Sequence, residues 1–209
     1  MDIILLESSL ELVPPQIRNH PSVVKNAERQ GKDPSQVLLD ISLHYHAMRN
    51  LPNREKRGRP DIVHTALLVV LTDPEFEGNL YIHTLDSRII KVSREMRPPK
   101  NYARFVGLME QLLVHGRVPL DGAPLMEVTS LSLRELIEER GLILLDERGT
   151  KVSRSSLCER KEYIGIGAFP HGDFSPEIRT LSKQIFSISD HVLETQNVLC
   201  RLISSCIQD

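Results

Sequence analysis

The sequence predicts an α/β fold with a mainly parallel sheet and helices on both faces. Short apolar runs, with the length of buried strands, alternate with segments whose apolar residues recur at helical spacing. This alternation is typical of the strand–helix–strand units that build a parallel sheet. One pair of apolar runs, at 80–85 and 89–93, is separated by only three residues, which predicts a β-hairpin excursion from the sheet.

The N-terminal half begins with a predicted buried strand at residues 3–6. Connections of helical, irregular or mixed character follow at 14–31 and 37–51. A helix is predicted from residue 60, because Pro60 suits a first helical turn and apolar residues recur at helical spacing over 62–71. After the hairpin, the apolar spacing over 102–113 predicts an amphipathic helix.

The C-terminal half continues the alternation. Its predicted strands are short and apolar, at 125–128, 142–145, 163–169 and 185–188. Its predicted helices lie at 132–140, where Gly141 is placed to end the helix, at 176–183 and at 193–207.

Size and hydropathy set the broad class of the protein. The chain has 209 residues, 40% of them hydrophobic, which is enough for one well-buried domain. Its longest apolar run, at 66–71, is far shorter than the roughly 20 residues that a membrane span needs, and the N-terminus lacks a signal-like segment. A cytoplasmic protein with no membrane partner is expected.

Basic residues are concentrated in two segments. Residues 49–59 and 86–104 together contain eleven Lys or Arg and three Asp or Glu, although the whole chain has a formal net charge of −2. Basic patches of this kind are typical of proteins that bind nucleic-acid phosphates. Charge alone leaves a second interpretation open, in which both segments are solvated loops.

Three glycines interrupt the apolar run IGIGAFPHGDF at 164–174. Gly165, Gly167 and Gly172 would let the backbone approach a ligand closely, and the ends of parallel strands are favoured ligand positions. The pattern is not the GxGxxG dinucleotide fingerprint, so a cofactor site and a set of tight turns both remain open.

Two further groups of charged residues are candidates for function. Asp61 can accept a proton or orient a base beside Arg59, although an aspartate in a first helical turn also complements the helix dipole. Lys100 and Arg104 stand four residues apart, as neighbours on one helical face do, and together with Arg97 they can follow a phosphate backbone. A solvated surface would show the same residues.

Other common sites are not indicated. The three cysteines, Cys158, Cys200 and Cys206, form no CxxC pair and are interpreted as core thiols rather than as a disulfide framework or a zinc site. His44 and His46 would share one face of a strand, but no third metal ligand follows at a useful spacing. The sequence has neither a GxSxG elbow nor a P-loop, which disfavours hydrolase and nucleoside-triphosphatase functions.

Five motifs extend along nearly the whole chain: GRPDIVH at 58–64, YIHT at 81–84, RPPKNYARFVGLMEQLL at 97–113, IGAFPHGDF at 166–174 and SISDHVLETQNVLCRL at 187–202. In sequence, order and spacing they resemble those of one family, the small-subunit ribosome-biogenesis methyltransferases specific for pseudouridine N1. The chain looks like an archaeal member, because it lacks a long basic extension. That family belongs to the SPOUT superfamily, so the resemblance implies a C-terminal trefoil knot, S-adenosyl-L-methionine as cofactor and a homodimer. It also implies one domain over residues 1–209, with an inserted basic segment and hairpin around 49–104 as the RNA-binding surface.

The resemblance assigns residues to each role. The implied cofactor contacts are Thr150, Gly167, Gly172, Asp173, Phe174, Ile188, Ser189, Asp190, His191, Val192 and Leu193. The implied contacts with ribosomal RNA are Arg59, Asp61, Arg97, Lys100 and Arg104, with Asp61 as candidate base or orienter. Lys100 departs from related sequences that have arginine, and lysine keeps the charge but loses the bidentate fork.

The resemblance implies methylation of N1 of a pseudouridine in small-subunit ribosomal RNA during subunit biogenesis, with other small-subunit assembly factors as partners. Two other functions stay open. One is a non-catalytic assembly factor that binds ribosomal RNA, and the other is a knotted methyltransferase that acts on tRNA.

Overall fold

The computed structural model describes residues 1–207, which form one eight-stranded sheet flanked by helices. The strand order across the sheet is β4-β5-β3-β2-β1-β7-β6-β8. The strands are β1 (Ile3–Ser8), β2 (Leu80–Thr84), β3 (Ile89–Val92), β4 (Arg117–Val118), β5 (Met126–Val128), β6 (Leu142–Lys151), β7 (Tyr163–Gly167) and β8 (Ser182–Ser187).

Five of the strands form a parallel block. β1 lies between β2 and β7, and β6 lies between β7 and β8, with parallel pairing at each contact. The predicted hairpin is present as the antiparallel pair β2–β3, and its strands belong to the sheet: β2 extends the parallel block, and β3 pairs with β5. The antiparallel part is therefore one edge of the same sheet.

Three of the helices begin at residues that favour a helix N-terminus. Pro60 occupies the first turn of α3 (Pro60–Thr72), the Asn101 side chain accepts the Arg104 N–H at the start of α4 (Tyr102–His115), and Ser132 and Glu135 form a capping box in α5 (Leu133–Ile137). None of the helices within residues 1–207 combines the length and apolar character needed to cross a membrane. The helices are α1 (Pro21–Gln30), α2 (Ile41–His44), α3 (Pro60–Thr72), α4 (Tyr102–His115), α5 (Leu133–Ile137), α6 (Pro176–Leu181) and α7 (Thr195–Ser204), with 3₁₀ turns at Pro15–Ile17, Pro34–Gln36, Ala47–Asn50, Arg54–Lys56 and Arg154–Leu157.

The sheet buries both of its faces. Because successive strand side chains point in opposite directions, Ile3 and Leu5 of β1 join one core while Ile4 and Leu6 join another. The first core includes side chains of α3, α4 and α7, and the second includes side chains of α5 and α6. Helices thus cover both faces, as the sequence predicts.

A third, smaller core holds the first basic segment in place. Apolar residues of α1 and of the turns up to residue 51 pack together, among them Val23, Met48 and Leu51. Because Met48 and Leu51 are buried, Arg49 and Asn50 between them face solvent. The core therefore determines which residues of this segment are presented outwards.

Several boundaries and assignments differ from the sequence predictions; among them, the helices predicted at 132–140 and 176–183 are shorter, and the strand predicted at 185–188 is Ser182–Ser187. β6 runs to Lys151 instead of residue 145, because the chain bulges after Leu145 and then pairs again with the same strand, so that Leu145 and Thr150 both lie opposite Phe186. α7 begins at Thr195 instead of 193 and ends at Ser204 instead of 207. His44 ends a short helix, so it does not share a strand face with His46, and its buried Nδ1 accepts the Asp40 N–H.

The prediction of three core thiols is wrong. Cys158 and Cys206 form a disulfide, and Cys200 is exposed. The two bonded cysteines are 48 residues apart in the sequence, and two strands and two helices lie between them. Their proximity depends on the tertiary path of the chain, which cysteine spacing does not reveal.

Candidate functional site

A cavity of about 590 Å³ opens at the carboxyl ends of the parallel strands. Its walls come from the bulge within β6 and from the loops that follow β7 and β8, and one further side comes from the start of α3, with Arg59, Asp61, Ile62 and Thr65. Ligands of parallel α/β sheets bind in this position, outside the carboxyl ends of the strands. The volume is in the range of small-molecule sites.

Most of the residues that the family resemblance assigns to a cofactor lie together in this cavity. Its lining includes Gly167, Gly172, Asp173, Phe174, Ile188, Ser189, His191, Val192 and Leu193. Thr150 and Asp190 are not part of the lining: Thr150 is paired with Phe186 inside the sheet, and exposed Asp190 forms an ion pair with Lys151. The hydrogen bond from Lys151 and its positive charge lower the pKa of Asp190.

The glycines in this segment differ in what their missing side chains allow. A Cβ on Gly167 would lie 3.0 Å from the Phe174 ring and 3.1 Å from the Phe169 ring, so the cavity wall here depends on a bare backbone. Gly172 has φ of +99°, a conformation that side chains disfavour. Gly165 instead serves the core, since its Cβ would lie 2.5 Å from Leu6.

Charged residues at the bulge within β6 also line the cavity, and the sequence predictions did not include them. Asp146 is buried. Its carboxylate accepts hydrogen bonds from the backbone N–H of Arg148 at 2.8 Å and from Arg179 Nη2 at 2.6 Å. The Arg148 side chain reaches across to Asp173, and this contact raises the pKa of the arginine. The signal that could have identified them is a run of Asp, Glu and Arg directly after the predicted strand 142–145, because strand ends are ligand positions.

Arg59 and Asp61 form a bidentate ion pair at the cavity. Arg59 Nε donates to Asp61 Oδ1 and Arg59 Nη2 to Asp61 Oδ2, both at 2.8 Å, and the two side chains are about half exposed. The pair raises the pKa of Arg59. Because both carboxylate oxygens already accept hydrogen bonds, the geometry suits an Asp61 that orients Arg59.

The other three predicted RNA contacts lie outside the cavity. Arg97, Lys100 and Arg104 are all exposed. Arg97 donates to the backbone oxygens of Arg94 and Met96. Lys100 precedes Asn101, the N-cap of α4, and so lies outside the helix. The prediction that Lys100 and Arg104 are neighbours on one helical face is therefore wrong.

Two buried contacts fix the second basic segment against the rest of the protein. The Tyr102 hydroxyl donates to Asp40 Oδ2 at 2.6 Å, and burial together with this bond raises the pKa of Tyr102. His64 of α3 stacks on Phe105 with ring centroids 4.4 Å apart, and its Nε2 lies 2.6 Å from the Pro99 oxygen. The chain around residues 99–105 is therefore anchored to α3 and to the cap of α2.

A buried ion pair joins the first basic segment to the glycine-containing loop. Lys56 Nζ donates to Glu7 Oε2 at 2.7 Å and lies 4.6 Å from the centroid of the Phe169 ring. Glu7 Oε1 also accepts the Ser175 N–H at 3.2 Å. Glu7 has φ of +47°, an unusual conformation for a residue with a side chain. The buried carboxylate of Glu7 thus connects the end of β1 to residues 49–59 and to the loop that follows β7.

Comparisons with known proteins agree on one family. The family model for the EMG1/NEP1 methyltransferases matches residues 3–207. The chain is 59% identical to the ribosomal RNA small subunit methyltransferase Nep1 of Saccharolobus solfataricus over 209 residues, which covers 99% of this chain and 96% of the relative. It is 54% identical to the protein of the same description from Sulfurisphaera tokodaii over 212 residues, covering 100% of this chain and 97% of the relative.

A solved structure shows the same fold. The crystal structure of Archaeoglobus fulgidus Nep1 bound to S-adenosylhomocysteine superposes with a TM-score of 0.93 at 42% identity, covering 98% of this chain and 96% of that one. This similarity confirms the predicted fold class, an α/β knot of the SPOUT type with a mainly parallel sheet.

Proposed function

Because the chain belongs to the EMG1/NEP1 methyltransferase family, we propose that it transfers the methyl group of S-adenosylmethionine to N1 of a pseudouridine in small-subunit ribosomal RNA. The observation that carries the proposal is the cavity at the carboxyl ends of the parallel strands, with Arg59 and Asp61 at one side. A relative with 42% identity and the same fold binds S-adenosylhomocysteine, which is the product of that cofactor.

The cavity fits a cofactor of this kind. It combines a bare backbone at Gly167, two aromatic rings at Phe169 and Phe174, and charged groups at Arg148 and Asp173, as a ligand with an aromatic base and charged groups requires. We assign cofactor contacts to the lining residues Gly167, Gly172, Asp173, Phe174, Ile188, Ser189, His191, Val192 and Leu193, and not to Asp190, which is paired with Lys151. Thr150 is exposed and lies opposite Phe186 in the sheet, outside the cavity lining, so we assign it no cofactor contact.

The RNA side of the proposal rests on exposed cations. Arg97, Lys100 and Arg104 are exposed on the segment that His64 and Asp40 anchor next to α3, and α3 begins with the Arg59–Asp61 pair at the cavity. Phosphate contacts from these cations would position the RNA, and the reactive base would leave its stack to enter the cavity.

The chemical demands on the protein are alignment and removal of one proton. When bound, S-adenosylmethionine supplies an electrophilic methyl group on a positive sulfonium. The protein must hold the N1 nitrogen in line with that group and take up, or pass to water, the proton that N1 loses. Asp61 is our candidate for orienting the base or receiving this proton, acting from within its pair with Arg59.

Nucleoside mass spectrometry tests the proposal. Small-subunit ribosomal RNA containing pseudouridine is incubated with protein and S-adenosylmethionine, then digested, and a pseudouridine nucleoside heavier by one methyl group is expected. Matched RNA with uridine at that position and tRNA serve as substrate controls. Binding of RNA and cofactor without transfer would favour the non-catalytic assembly factor instead, and methylated tRNA would favour the second alternative.

We further propose that the protein acts as a homodimer in the cytoplasm, as one domain over residues 1–209, beside other small-subunit assembly factors. Support for a second copy comes from Val192 in the cavity loop, an apolar side chain that is 78% exposed in the single chain. Light scattering coupled to gel filtration measures the oligomeric state, and a monomeric mass at micromolar concentration would contradict the dimer.

A further inference from the structure

Tyr45 is an aromatic side chain exposed among basic residues. It directly follows α2 and is 49% exposed. The guanidinium carbon of Arg54 lies 4.8 Å from the centroid of its ring, and the His46 ring meets it edge-on at 5.5 Å. These are the distances of cation–π and aromatic contacts. Contacts with Arg54 and His46, and not burial in a core, therefore hold the Tyr45 ring in place.

The basic residues near Tyr45 differ in their availability. Lys56 is paired with buried Glu7, and Arg57 makes a bidentate pair with buried Glu11 at 2.6 and 2.8 Å. Arg49 is exposed, and Arg54 lies over the Tyr45 ring. A hydrogen bond from Arg54, and the positive charges of Arg54 and Arg49, lower the pKa of Tyr45. The surface around the ring is therefore cationic.

Tyr45 is also close to the proposed RNA surface. The Ile41 N–H donates to the Gly58 oxygen at 2.8 Å, so α2 starts beside the residue that precedes Arg59. The cap of the same helix, Asp40, binds the Tyr102 hydroxyl in the second basic segment. At the helical rise, Tyr45 lies about 8 Å along the axis from Asp40. The ring is thus near both basic segments.

We propose that the Tyr45 ring, held by Arg54, is a stacking platform for an unpaired base that flanks the methylated nucleotide. The proposal rests on the proposed function and adds a binding site for a nucleobase to it. Proteins bind single-stranded RNA by stacking its bases on aromatic rings and guanidinium planes inside cationic grooves. A second copy of the chain fits this site less well, because a symmetric contact would bring two cationic patches together.

The test is RNA affinity measured by fluorescence anisotropy. The probe is a nine-nucleotide single-stranded RNA with pseudouridine at its centre. We expect Tyr45→Ala to weaken binding roughly 5- to 150-fold, the loss that corresponds to one stacked base. Tyr45→Phe keeps the ring and should bind within about twofold of wild type. Leu43→Ala is the matched control, because Leu43 is 50% exposed on the same short helix but has no ring.

Two further readouts separate stacking from other roles. The salt dependence of binding should keep its slope in Tyr45→Ala, because no phosphate contact is removed. Abasic sites are placed one at a time beside the pseudouridine. At one of these positions the abasic site should weaken RNA binding by the wild-type protein, and the same site should cause no further loss of affinity in Tyr45→Ala. Equal affinity of Tyr45→Ala and wild type would overturn the platform.

Other results would overturn it in favour of a different role. A flattened salt slope would assign the effect to phosphate binding, and unchanged affinity with an altered oligomeric mass would assign the surface to a contact between copies. The outcomes also separate the two proposals. If wild type binds the RNA and Tyr45→Ala weakens it but no methyl transfer occurs, the platform stands and the proposed reaction fails. If wild type does not bind the RNA, both fail.

Discussion

Loss of the Cys158–Cys206 disulfide should lower the free energy of unfolding by a predictable amount. The bond closes a loop of 48 residues, and its main effect is to restrict the unfolded chain. The chain-entropy relation gives about 3 kcal/mol for a 15-residue loop and about 4.7 kcal/mol for 100 residues, hence about 4 kcal/mol here. The perturbation is the double substitution Cys158→Ser with Cys206→Ser.

The assay is guanidinium unfolding at 25 °C, followed by circular dichroism, with the variants measured without reductant and wild type measured both without and with it. The midpoint should fall in the double variant and in reduced wild type, whereas Cys200→Ser, at an exposed free cysteine, should leave it unchanged. Cofactor affinity should survive, because α7 places Cys206 about 15 Å from Thr195 at the cavity. An unchanged midpoint in the double variant, or three reactive thiols in denatured, unreduced protein, would refute the reasoning.

Three other predictions concern buried groups. Lys56→Met should cost roughly 3–5 kcal/mol of unfolding free energy because it leaves Glu7 buried without its cation, and Glu7→Gln with Lys56→Met should recover much of that loss in the same denaturation assay. Gly167→Ala should weaken S-adenosylmethionine binding in calorimetry by pressing on Phe169 and Phe174, whereas Gly165→Ala, against Leu6, should lower stability. Burial lowers the pKa of His44 and His83 in the folded protein, so the unfolded chain takes up protons first as the pH falls. The free energy of unfolding should therefore decrease as the pH drops below 6.5. Denaturation at pH 7.5 and 5.5 measures this decrease, and His83→Asn should make it smaller.

The sequence predicts most of the fold because burial leaves a local pattern. Strands buried on both faces appear as short apolar runs, such as residues 3–6 and 142–145, and helices over the sheet repeat their apolar residues every three or four positions. The apolar pattern does not show, however, which strands pair with each other. That β8 lies beside β6, and that β6 resumes its pairing at Thr150 after a bulge, depends on contacts between distant segments.

Prediction of the candidate site has the same limit. The glycine-containing segment and the loop at 188–193 are recognisable as breaks in apolar runs, and both reach the cavity. Arg148 and Asp146 are not singled out, because a charged run after a strand resembles an ordinary solvated turn until the fold shows which end of the sheet it occupies. The roles of Glu7 and Lys56 are hidden for a different reason: each is a common charged residue, and only their mutual burial makes them unusual.

The buried polar contacts indicate how one chain can keep the cavity and the proposed RNA surface in a fixed relative position. Glu7 links β1 to the first basic segment through Lys56 and to the cavity loop through Ser175. Asp40 links the cap of α2 to the second basic segment through Tyr102. Apolar packing alone allows neighbouring segments to slide by small amounts, whereas a buried carboxylate with several donors tolerates only one arrangement. A methyl transfer that needs in-line alignment to within a fraction of an ångström benefits from such fixed joints, so these contacts lie where the two surfaces meet.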